Sequence, residues 1–409
     1  MLAGGSSSGI GRSGSRRPRF PRIPLTHPSS SSTQPNSSSS APACTAFDLA
    51  YFQAYSDIGI HEEMLKDRVR METYQDAISR YRHLIEGKIV MDVGSGTGIL
   101  AIFCAQAGAK KVYAVEASDI AEKAKEIVRA NNLAEKVIVL HQRVEDVEIS
   151  GKVDVIISEW MGYMLVYESM LSSVIFARDK WLKRGGLILP SHATLYMAPV
   201  TNSIKYEQCV DFWNNVYGID MSAMVQLARQ CAFEEPSVET IQGENVLTWP
   251  FVVKSVNCYT VVAQELECIS AEYRFSSMMD APLHGFAFWF DVEFNGPAIT
   301  PVQGSHYPLQ SSLLDLSTNE SANETTNDSN RQRKIKSNET IVLSTAPEDA
   351  PTHWQQTLLY FYYPTEVKKD QIIEGSIKLS QNRENARFIN ILLKCSCGGN
   401  TLVKESVLR

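Results

Sequence analysis

Two glutamates, Glu159 and Glu168, stand nine residues apart in the segment SEWMGYMLVYESM at 158–170, which is otherwise almost entirely apolar or aromatic. Carboxylates held together in apolar surroundings repel one another and are driven toward the neutral form, unless a cation normally lies between them. The residue types therefore predict a site for a cation, either a metal ion or a positively charged group of a ligand.

The elements around residues 158–170, the double-glutamate loop, place it at an active site. The apolar run VDVII at 153–157 predicts a buried strand, and the amphipathic run at 171–181 predicts a helix after the loop. Open α/β sheets bind ligands at the carboxyl ends of their parallel strands. We therefore expect the double-glutamate loop to line the active site.

A glycine-rich turn marks a second ligand-binding element. The sequence KIVMDVG at 88–94 predicts a buried strand that leads through GSGTG into a helix. Gly94, Gly96 and Gly98 would let the backbone approach a ligand closely at the helix N-terminus. NAD is the default interpretation, but the spacing D-x-G-x-G-x-G, which starts at Asp92, is typical of S-adenosylmethionine enzymes.

Two further acids stand where a nucleoside needs hydrogen-bond acceptors. A second predicted strand at 111–115 ends in Glu116, which is placed to accept hydrogen bonds from ribose hydroxyls. A third strand at 137–141 leads to Glu145, which either accepts from an adenine amino group or belongs to a solvated acidic turn. With the glycine-rich turn, these acids predict a nucleoside-binding βαβ unit.

The composition is that of a globular protein with room for two domains. The chain has 409 residues, 44% hydrophobic and 21% charged, without an apolar run long enough to span a membrane. Eight cysteines without disulfide-type spacing indicate a reducing compartment, and Cys395 and Cys397 fit a buried strand face better than a metal site. The net charge of −7 conceals an acidic body, because residues 1–47 carry five arginines and no acid. An acidic body favours basic partners over nucleic acid.

The first half of the chain divides into three regions. Residues 1–45 read as a disordered Arg- and Ser-rich tail, although a transit peptide or a substrate of arginine modification has the same composition. Helical periodicity predicts N-terminal helices at 46–87. Residues 88–190 form the predicted doubly wound, Rossmann-like sheet.

Residues 191–409 have a different character, because short alternating strands predict an antiparallel sandwich or barrel. A helical interlude at 204–229 predicts a projecting arm, and residues 305–338 predict a disordered loop. The run RQRKIK at 331–336 is either a solvated basic loop or a nuclear localisation signal. The aromatic residues expected to be exposed on the arm are Tyr206, Phe212, Trp213 and Tyr217. The predicted strands are 194–198, 251–256, 285–294, 357–363, 375–379 and 388–394.

Four motifs together resemble the protein arginine N-methyltransferases. They are GIHEEML at 59–65, VMDVGSGTGIL at 90–100, SEWMGYMLVYESML at 158–171 and THW at 352–354. The segments AVEAS, SDIGIHEEM and PLHGFAFWF look most like the arginine methyltransferase 6 group of that family. The resemblance implies an α/β plus β fold, in which a Rossmann-like sheet precedes an antiparallel β-barrel. It also implies that the arm at 204–229 inserts into a second subunit and makes a homodimer.

The resemblance identifies the expected cation as the guanidinium of a substrate arginine. It implies S-adenosyl-L-methionine as cofactor, with S-adenosyl-L-homocysteine as product and no metal. The expected partners are arginine-containing proteins, with core histone tails among them, and neither nucleic acid nor membrane. The expected location is the nucleus and the cytoplasm.

The resemblance also implies residue roles. Glu159 and Glu168 would hold the guanidinium, while His353 and Asp67 would pair as a proton acceptor and as a fastener between the N-terminal helices and the barrel. Arg70 would bind the cofactor's carboxylate. The expected cofactor-binding residues are Tyr55, His61, Arg70, Asp92, Gly94, Gly96, Gly98, Glu116 and Glu145. The expected substrate-binding residues are Tyr51, Met64, Tyr163, Met170 and Trp354, and Tyr51 and Tyr55 would form a lid over the cofactor.

The chemistry of arginine shapes the expected mechanism. Its pKa exceeds 12, so removal of the proton at pH 7 before reaction would cost about 7 kcal/mol or more. We therefore expect the cation to bind and the proton to leave late. Met64 and Met170, without a bulky aromatic residue in their place, imply the subtype that makes asymmetric dimethylarginine.

Two other functions are compatible with parts of the sequence. A Rossmann methyltransferase acting on a non-protein amine could use the two carboxylates to hold Mg²⁺ or the amine. The N/D-P-P-Y type motif of nucleic-acid amino methyltransferases is absent from the sequence. A catalytically inactive scaffold would be expected to lack one of the glutamates or glycines, and all of them are present.

Overall fold

The computed structural model of the chain describes residues 44–297 and 340–409. The predicted tail lies outside the described residues apart from its last two positions, and so do the predicted loop at 305–338 and the basic run at 331–336. The described part begins with the helices α1 (Ala46–Ala54), α2 (Ile58–Lys66), α3 (Arg68–Arg80) and α4 (Arg82–Ile85). Within residues 44–297 and 340–409, no helix is long and apolar enough to cross a membrane.

Side-chain caps fix where these helices begin. Thr45 and Asp48 form a reciprocal capping box at the start of α1, in which each side chain accepts from the backbone N–H of the other. Asp67 ends α2 and caps α3 by accepting from the backbone N–H of Arg70 at 3.0 Å. Asp67 has an extended backbone, so the chain changes direction between α2 and α3 at this residue.

A five-stranded parallel sheet follows these helices. Its elements are β1 (Ile89–Val93), α5 (Ile99–Gln106), β2 (Lys111–Glu116), α6 (Ile120–Ala130), β3 (Val137–His141), β4 (Val153–Ile157), α7 (Met170–Trp181) and β5 (Leu182–Leu189). The strand order is β3-β2-β1-β4-β5. Because the chain moves outward from β1 to β3 and then crosses to β4, the loops after β1 and β4 diverge at the switch point where doubly wound sheets bind ligands.

The second half of the described chain is mainly antiparallel. Its elements are β6 (His192–Val200), α8 (Ser203–Cys209), α9 (Val225–Phe233), β7 (Ser237–Glu239), β8 (Phe251–Asn257), α10 (Gln264–Glu267), β9 (Cys268–Ser276), β10 (Ala281–Phe294), β11 (Ile341–Ser344), β12 (Gln356–Val367), β13 (Ile372–Gln381), β14 (Ile389–Cys397) and β15 (Asn400–Leu408). One sheet has the order β7-β12-β10-β6-β8 with β11 beside β10, and the other has the order β15-β14-β13-β9.

An aromatic core joins the two antiparallel sheets. The ring of Phe286 on β10 lies 5.4 Å from that of Tyr273 on β9, measured between centroids. The predicted fold class, a doubly wound parallel sheet followed by an antiparallel β-barrel, is confirmed. Each predicted strand beyond Pro190 overlaps an observed one, whereas β7, β9, β11 and β15 have no counterpart among the predictions.

The helices α8 and α9 overlap the segment predicted as the arm, at 204–229, and one aromatic residue of this segment differs from expectation. Tyr217 is fully exposed and Phe212 is 50% exposed. Tyr206 is buried: its hydroxyl donates to the carbonyl oxygens of Phe361 and His284. The prediction of an exposed Tyr206 is therefore wrong, because its face of α8 packs on the barrel. Trp213 is also only partly exposed.

Candidate functional site

A cleft of about 1540 Å³ opens between the carboxyl ends of the parallel strands, the helices α1 and α2, and the β13–β14 turn. Sites for one small ligand usually measure about 300–1,000 Å³, so this volume suits two ligands side by side. The predicted site residues line the cleft, with the exception of Asp67, Asp92 and Gly98.

The glycine-rich turn after β1 forms the floor of one end. Gly94, Gly96 and Gly98 all have positive φ, at 71°, 53° and 82°. A Cβ atom on Gly94 would lie 2.5 Å from Cε of Met170, the flexible end of a side chain that can move aside, so the positive φ is the main obstacle to a side chain at this position. Gly98 ends the turn as the N-terminal cap of α5, without lining the cleft.

Two carboxylates stand at this end, each fixed by a hydrogen bond. Glu116 at the end of β2 accepts from the backbone N–H of Gly96 at 2.7 Å and from that of Ser118 at 2.8 Å. Glu145 accepts at 2.7 Å from the hydroxyl of Ser173 on α7. Both side chains line the cleft and are positioned to accept from hydroxyl or amino groups of a nucleoside.

Asp92 is a buried acid beneath the glycine-rich turn. It is fully buried, and burial raises its pKa to about 7, with the Ala101 amide and the Arg70 charge opposing the rise. The Ala101 amide is a weak donor to it, because neither carboxylate oxygen has a hydrogen-bond partner of normal distance and angle among the described residues. Asp92 does not line the cleft, so its carboxylate could act on an amino-acid-like ligand only through space, from beneath the turn. With the acceptors Glu116 and Glu145, the residues present fit S-adenosylmethionine.

Glu159 is paired with an arginine of the N-terminal helices. Arg70 on α3 contacts Oε2 of Glu159 with Nε at 3.0 Å and with Nη2 at 2.9 Å, and both side chains are less than 10% exposed. Its Nη1 donates to the carbonyl oxygen of Met64 at 3.2 Å. A cofactor carboxylate at Arg70 would therefore meet a guanidinium that already neutralises Glu159.

The carboxylate of Glu168 is bonded to a neutral hydroxyl, whereas that of Glu159 is paired with an arginine. The hydroxyl of Tyr55 donates to Oε2 of Glu168 at 2.7 Å. Burial raises the pKa of Glu168 to about 7, while the Tyr55 hydrogen bond and the Arg387 charge act in the opposite direction. Its backbone is left-handed, with φ at 72°, a conformation that is costly for a residue other than glycine.

His353 of the THW motif joins the barrel to the N-terminal helices. Its Nδ1 lies 2.7 Å from Oδ2 of Asp67, and its backbone N–H donates to the same oxygen at 2.9 Å. Burial tends to raise the pKa of Asp67, but the bonds from His353 and Arg70 outweigh it and lower the pKa. Asp67 thus lies behind His353 and outside the cleft. Trp354 donates its indole N–H to the carbonyl oxygen of Met161, 2.9 Å away, and so holds the double-glutamate loop.

The remaining predicted residues surround the glutamates. Tyr51 and Tyr55 lie on or at the end of α1 with ring centroids 4.7 Å apart, and His61 is hydrogen-bonded through Nε2 to the carbonyl oxygen of Tyr55 at 2.8 Å. The other three, Met64, Tyr163 and Met170, line the cleft as well.

Among the residues of the site that have no counterpart in the sequence predictions, three make contacts that fix a carboxylate or a helix. They are Ser173, which holds Glu145, and the pair Asp48 and Arg387, which lies between α1 and the β13–β14 turn. None stands in a recognisable motif. Only the helical amphipathicity after the double-glutamate loop gives any signal, because it places Ser173 on α7.

The described residues offer no cluster of three or more His, Cys, Asp and Glu side chains that could hold a metal ion. Cys395 and Cys397 are buried on β14, in agreement with the interpretation of a strand face.

Two family models match most of the described chain. One, described as the arginine methyltransferase oligomerization subdomain, matches residues 191–311 and 332–400. The other, described as ribosomal protein L11 methyltransferase, matches residues 72–189.

Similar proteins span nearly the whole chain. A probable protein arginine N-methyltransferase 6 of Arabidopsis thaliana is 62% identical over 373 residues, which cover 91% of this chain and 84% of that protein. The solved structure of Arabidopsis thaliana protein arginine methyltransferase 10 is 34% identical with a TM-score of 0.71, over 88% of this chain and 100% of that one. A Trypanosoma brucei enzyme–prozyme complex of arginine methyltransferase 1 with AdoHcy also gives a TM-score of 0.71 at 31% identity, over 87% of this chain and 100% of that one.

Proposed function

This chain belongs to the protein arginine N-methyltransferase family, and we propose that it transfers methyl groups from S-adenosylmethionine to guanidinium nitrogens of protein arginines. The observation that carries the proposal is the glutamate pair: Glu159 and Glu168 line the same cleft as the glycine-rich turn. A permanently charged, planar arginine side chain suits this acidic recess, because its N–H groups can donate to carboxylates on different sides.

Residues at the other end of the cleft would hold the cofactor. Glu116 would accept from the ribose and Glu145 from the adenine, while Asp92 beneath the glycine-rich turn would attract the ammonium group without contacting it. S-adenosylmethionine would supply a methyl group already activated on a sulfonium sulfur. The support is the place of Glu116 and Glu145 in the cleft lining, together with the AdoHcy named for the Trypanosoma brucei relative.

The two glutamates would bind and polarise the guanidinium. Arg70 contacts only Oε2 of Glu159, so Oε1 can accept from the substrate. N–H bonds to carboxylates draw positive charge toward the nitrogens that they hold, which leaves the remaining terminal nitrogen more nucleophilic. Holding that nitrogen in line with the methyl group would supply much of the rate.

The proton would leave the guanidinium late in the reaction. Asp67 is bonded to Nδ1 of His353, which leaves Nε2 as the ring nitrogen available to accept a proton. The same bond fastens α3 to the barrel. Loss of His353 would therefore reduce both the rate and the stability of the fold.

The test replaces Glu168 by Gln, with Glu126→Gln on the exposed face of α6 as the control. Titration with S-adenosylhomocysteine should give unchanged affinity in both variants. Methyl transfer to a Gly/Arg-rich peptide should be abolished in Glu168→Gln alone. Turnover near that of the wild type in Glu168→Gln would refute the assigned role.

We also propose asymmetric dimethylarginine as the product and core histone tails as substrates. The support is that Met64 and Met170 line the same cleft as the glutamates, where a bulky aromatic residue would leave less room for a second methyl group. Fragmentation of the product in a mass spectrometer should show loss of dimethylamine after incubation with core histones. Symmetric dimethylarginine would contradict the methionine argument, and unmodified histones alongside a methylated peptide would contradict the substrate class.

A homodimer formed through the arm completes the proposal. The name of the matching oligomerization subdomain supports it, as do the exposed side chains of Phe212 and Tyr217. The test variant is Phe212→Ser with Tyr217→Ser. It leaves Tyr206 in place, because Tyr206 is buried and holds α8 on the barrel. The variant should elute as a monomer from a sizing column, and an unchanged dimer would argue against the arm.

We propose the nucleus and the cytoplasm as the location, on the basis of the eight cysteines without disulfide-type spacing. A fluorescent fusion to the C-terminus of the full chain should appear in both. Accumulation in a single organelle would support the alternative of a transit peptide.

A further inference from the structure

Arg387 lies in the turn between β13 and β14, on the barrel, yet its side chain reaches the catalytic cleft. The side chain is only 16% exposed, and it lines the cleft beside α1 and the double-glutamate loop. It contacts two elements that are remote from it in sequence, at separations of 339 and 219 residues.

The first contact is with the lid helix α1. Nε and Nη2 of Arg387 donate to Oδ1 of Asp48 at 3.2 and 2.6 Å. The guanidinium carbon lies 3.7 Å from the ring centroid of Tyr51, which is a cation–π distance. Asp48 uses its other oxygen for the capping box of α1. One carboxylate thus both starts the helix and docks it on the barrel.

The second contact is with the backbone of Glu168. Nη1 of Arg387 donates to the carbonyl oxygen of Glu168 at 2.8 Å, and the N–H of Glu168 donates to the carbonyl oxygen of Arg387 at 3.0 Å. Glu168 is the residue with the unfavourable left-handed backbone. Such a conformation persists where surrounding contacts determine it, and here Arg387 accounts for both polar groups of its main chain.

These contacts form a closed circuit, because α1 also reaches Glu168 by itself. Tyr55 follows the last turn of α1, and its hydroxyl holds the Glu168 carboxylate. The Tyr51 hydroxyl on α1 also lowers the pKa of the Glu168 carboxyl, while the charge of Glu159 raises it. The backbone and the side chain of Glu168 therefore depend on α1 and on Arg387, which are themselves joined through Asp48.

We propose that Arg387 is a positioning residue for methyl transfer, which couples the docking of α1 over the cleft to the catalytic conformation of Glu168. The inference rests on the proposed function. It extends that function by giving the barrel turn a part in assembling the site. Loss of Arg387 should undock α1, release the backbone of Glu168 and remove a positive charge from its neighbourhood.

The main variant is Arg387→Gln, with Arg387→Lys to separate charge from geometry. The matched control is Arg383→Gln, a second arginine of the same turn whose side chain is exposed. Hydrogen exchange of the ligand-free proteins should become faster in residues 46–54 and 163–170 of Arg387→Gln, and should be unchanged in the control. Equal protection in all variants would overturn the coupling.

Kinetics distinguish a positioning role from a merely structural one. In Arg387→Gln we expect kcat to fall about tenfold or more and the acidic limb of the pH profile to move to higher pH, because a charge that favours ionised Glu168 is lost. Arg387→Lys should restore the pH limb without restoring kcat, since one ammonium cannot replace the planar fork. A pH limb that stays in place in Arg387→Gln would overturn the proposal.

If Arg387→Gln fails to fold, Asp48→Asn weakens the same Arg387–Asp48 ion pair from the α1 side. The exchange and kinetic effects of Asp48→Asn and Arg387→Gln should be less than additive in the double variant, and full additivity would refute a shared link. Failure of the proposed function would appear separately, as a wild-type protein that makes no methylarginine. The exchange measurement needs neither cofactor nor turnover.

Discussion

The bond between Tyr55 and Glu168 gives a prediction whose size can be worked out. Tyr55→Phe removes the hydroxyl that donates to Oε2 of Glu168 at 2.7 Å and leaves the ring in place. A hydrogen bond to a charged group contributes about 1.5–3 kcal/mol, and one pKa unit corresponds to about 1.4 kcal/mol. The pKa of Glu168, raised by burial to about 7, should therefore rise by a further one to two units, roughly.

The sign of the effect on activity follows from the charge that the substrate requires. In the proposed function a guanidinium binds the ionised form of Glu168, so activity should be lost as pH falls through the pKa of this group. At pH 7 about half of Glu168 is ionised in the wild type, and the ionised fraction should fall about 5- to 50-fold in Tyr55→Phe. At pH 9.5 most of the loss should be recovered.

The assay measures initial rates of methyl transfer to a Gly/Arg-rich peptide between pH 6 and 9.5, at subsaturating peptide, so that kcat/KM is obtained. Tyr81→Phe is the control, because it removes a tyrosine hydroxyl bonded at 3.0 Å to the carbonyl oxygen of Phe294, and Tyr81 does not line the cleft. Affinity for S-adenosylhomocysteine, measured at pH 9, shows whether the lid still closes. A loss of the same factor at every pH would refute the role given to the Tyr55 hydroxyl.

Three further predictions concern stability. Burial raises the pKa of Glu168 from the ordinary value of 4.5 to about 7, so the folded protein keeps this proton up to a higher pH than the unfolded chain does, and stability falls by about 3 kcal/mol as pH rises from 4.5 to 7. Glu168→Gln should therefore raise the Tm at pH 8 much more than at pH 5. An equal gain at both pH values would contradict a charge effect. Gly94→Ala should weaken S-adenosylhomocysteine binding in a calorimeter and lower the free energy of unfolding by about 1–2 kcal/mol, since φ is 71° at this position of the turn that lines the cleft; retained binding would show that the turn can adapt. Trp354→Phe removes the indole bond to Met161 and should lower the unfolding free energy in urea by about 1 kcal/mol, whereas an unchanged midpoint would mean that the bond contributes no net stability.

Much of the site could be predicted because its signals are local in the chain. Gly94 and Gly96 predict a turn with positive φ. Asp92, two residues before Gly94, stands in an apolar run that predicts a buried strand. The double-glutamate loop is recognisable because two acids in apolar company are rare. In each case the residues that form the pattern lie close together in the sequence.

The parts that sequence could not give depend on partners far along the chain. A polar residue in a short turn looks the same whether it faces solvent, as Arg383 does, or reaches into the site, as Arg387 does. Tyr206 fails for a related reason, because helical periodicity does not say which face of α8 meets the barrel. Its burial follows from contacts with β10 and β12, which are 78 and 155 residues away.

The negative charges of the two buried glutamates are compensated by different groups, and this difference indicates which glutamate contributes more to the choice of substrate. Glu159 has a full positive charge from Arg70 at 2.9 Å, so a second cation gains less by approaching it. Glu168 has a neutral hydroxyl donor at its carboxylate, while Arg387 is bonded to its backbone carbonyl and not to the carboxylate, and burial raises its pKa to about 7. A cation entering the cleft is stabilised most where the compensation is poorest. Discrimination of arginine from a neutral side chain should therefore reside mainly at Glu168, the residue whose conformation depends on both α1 and the barrel.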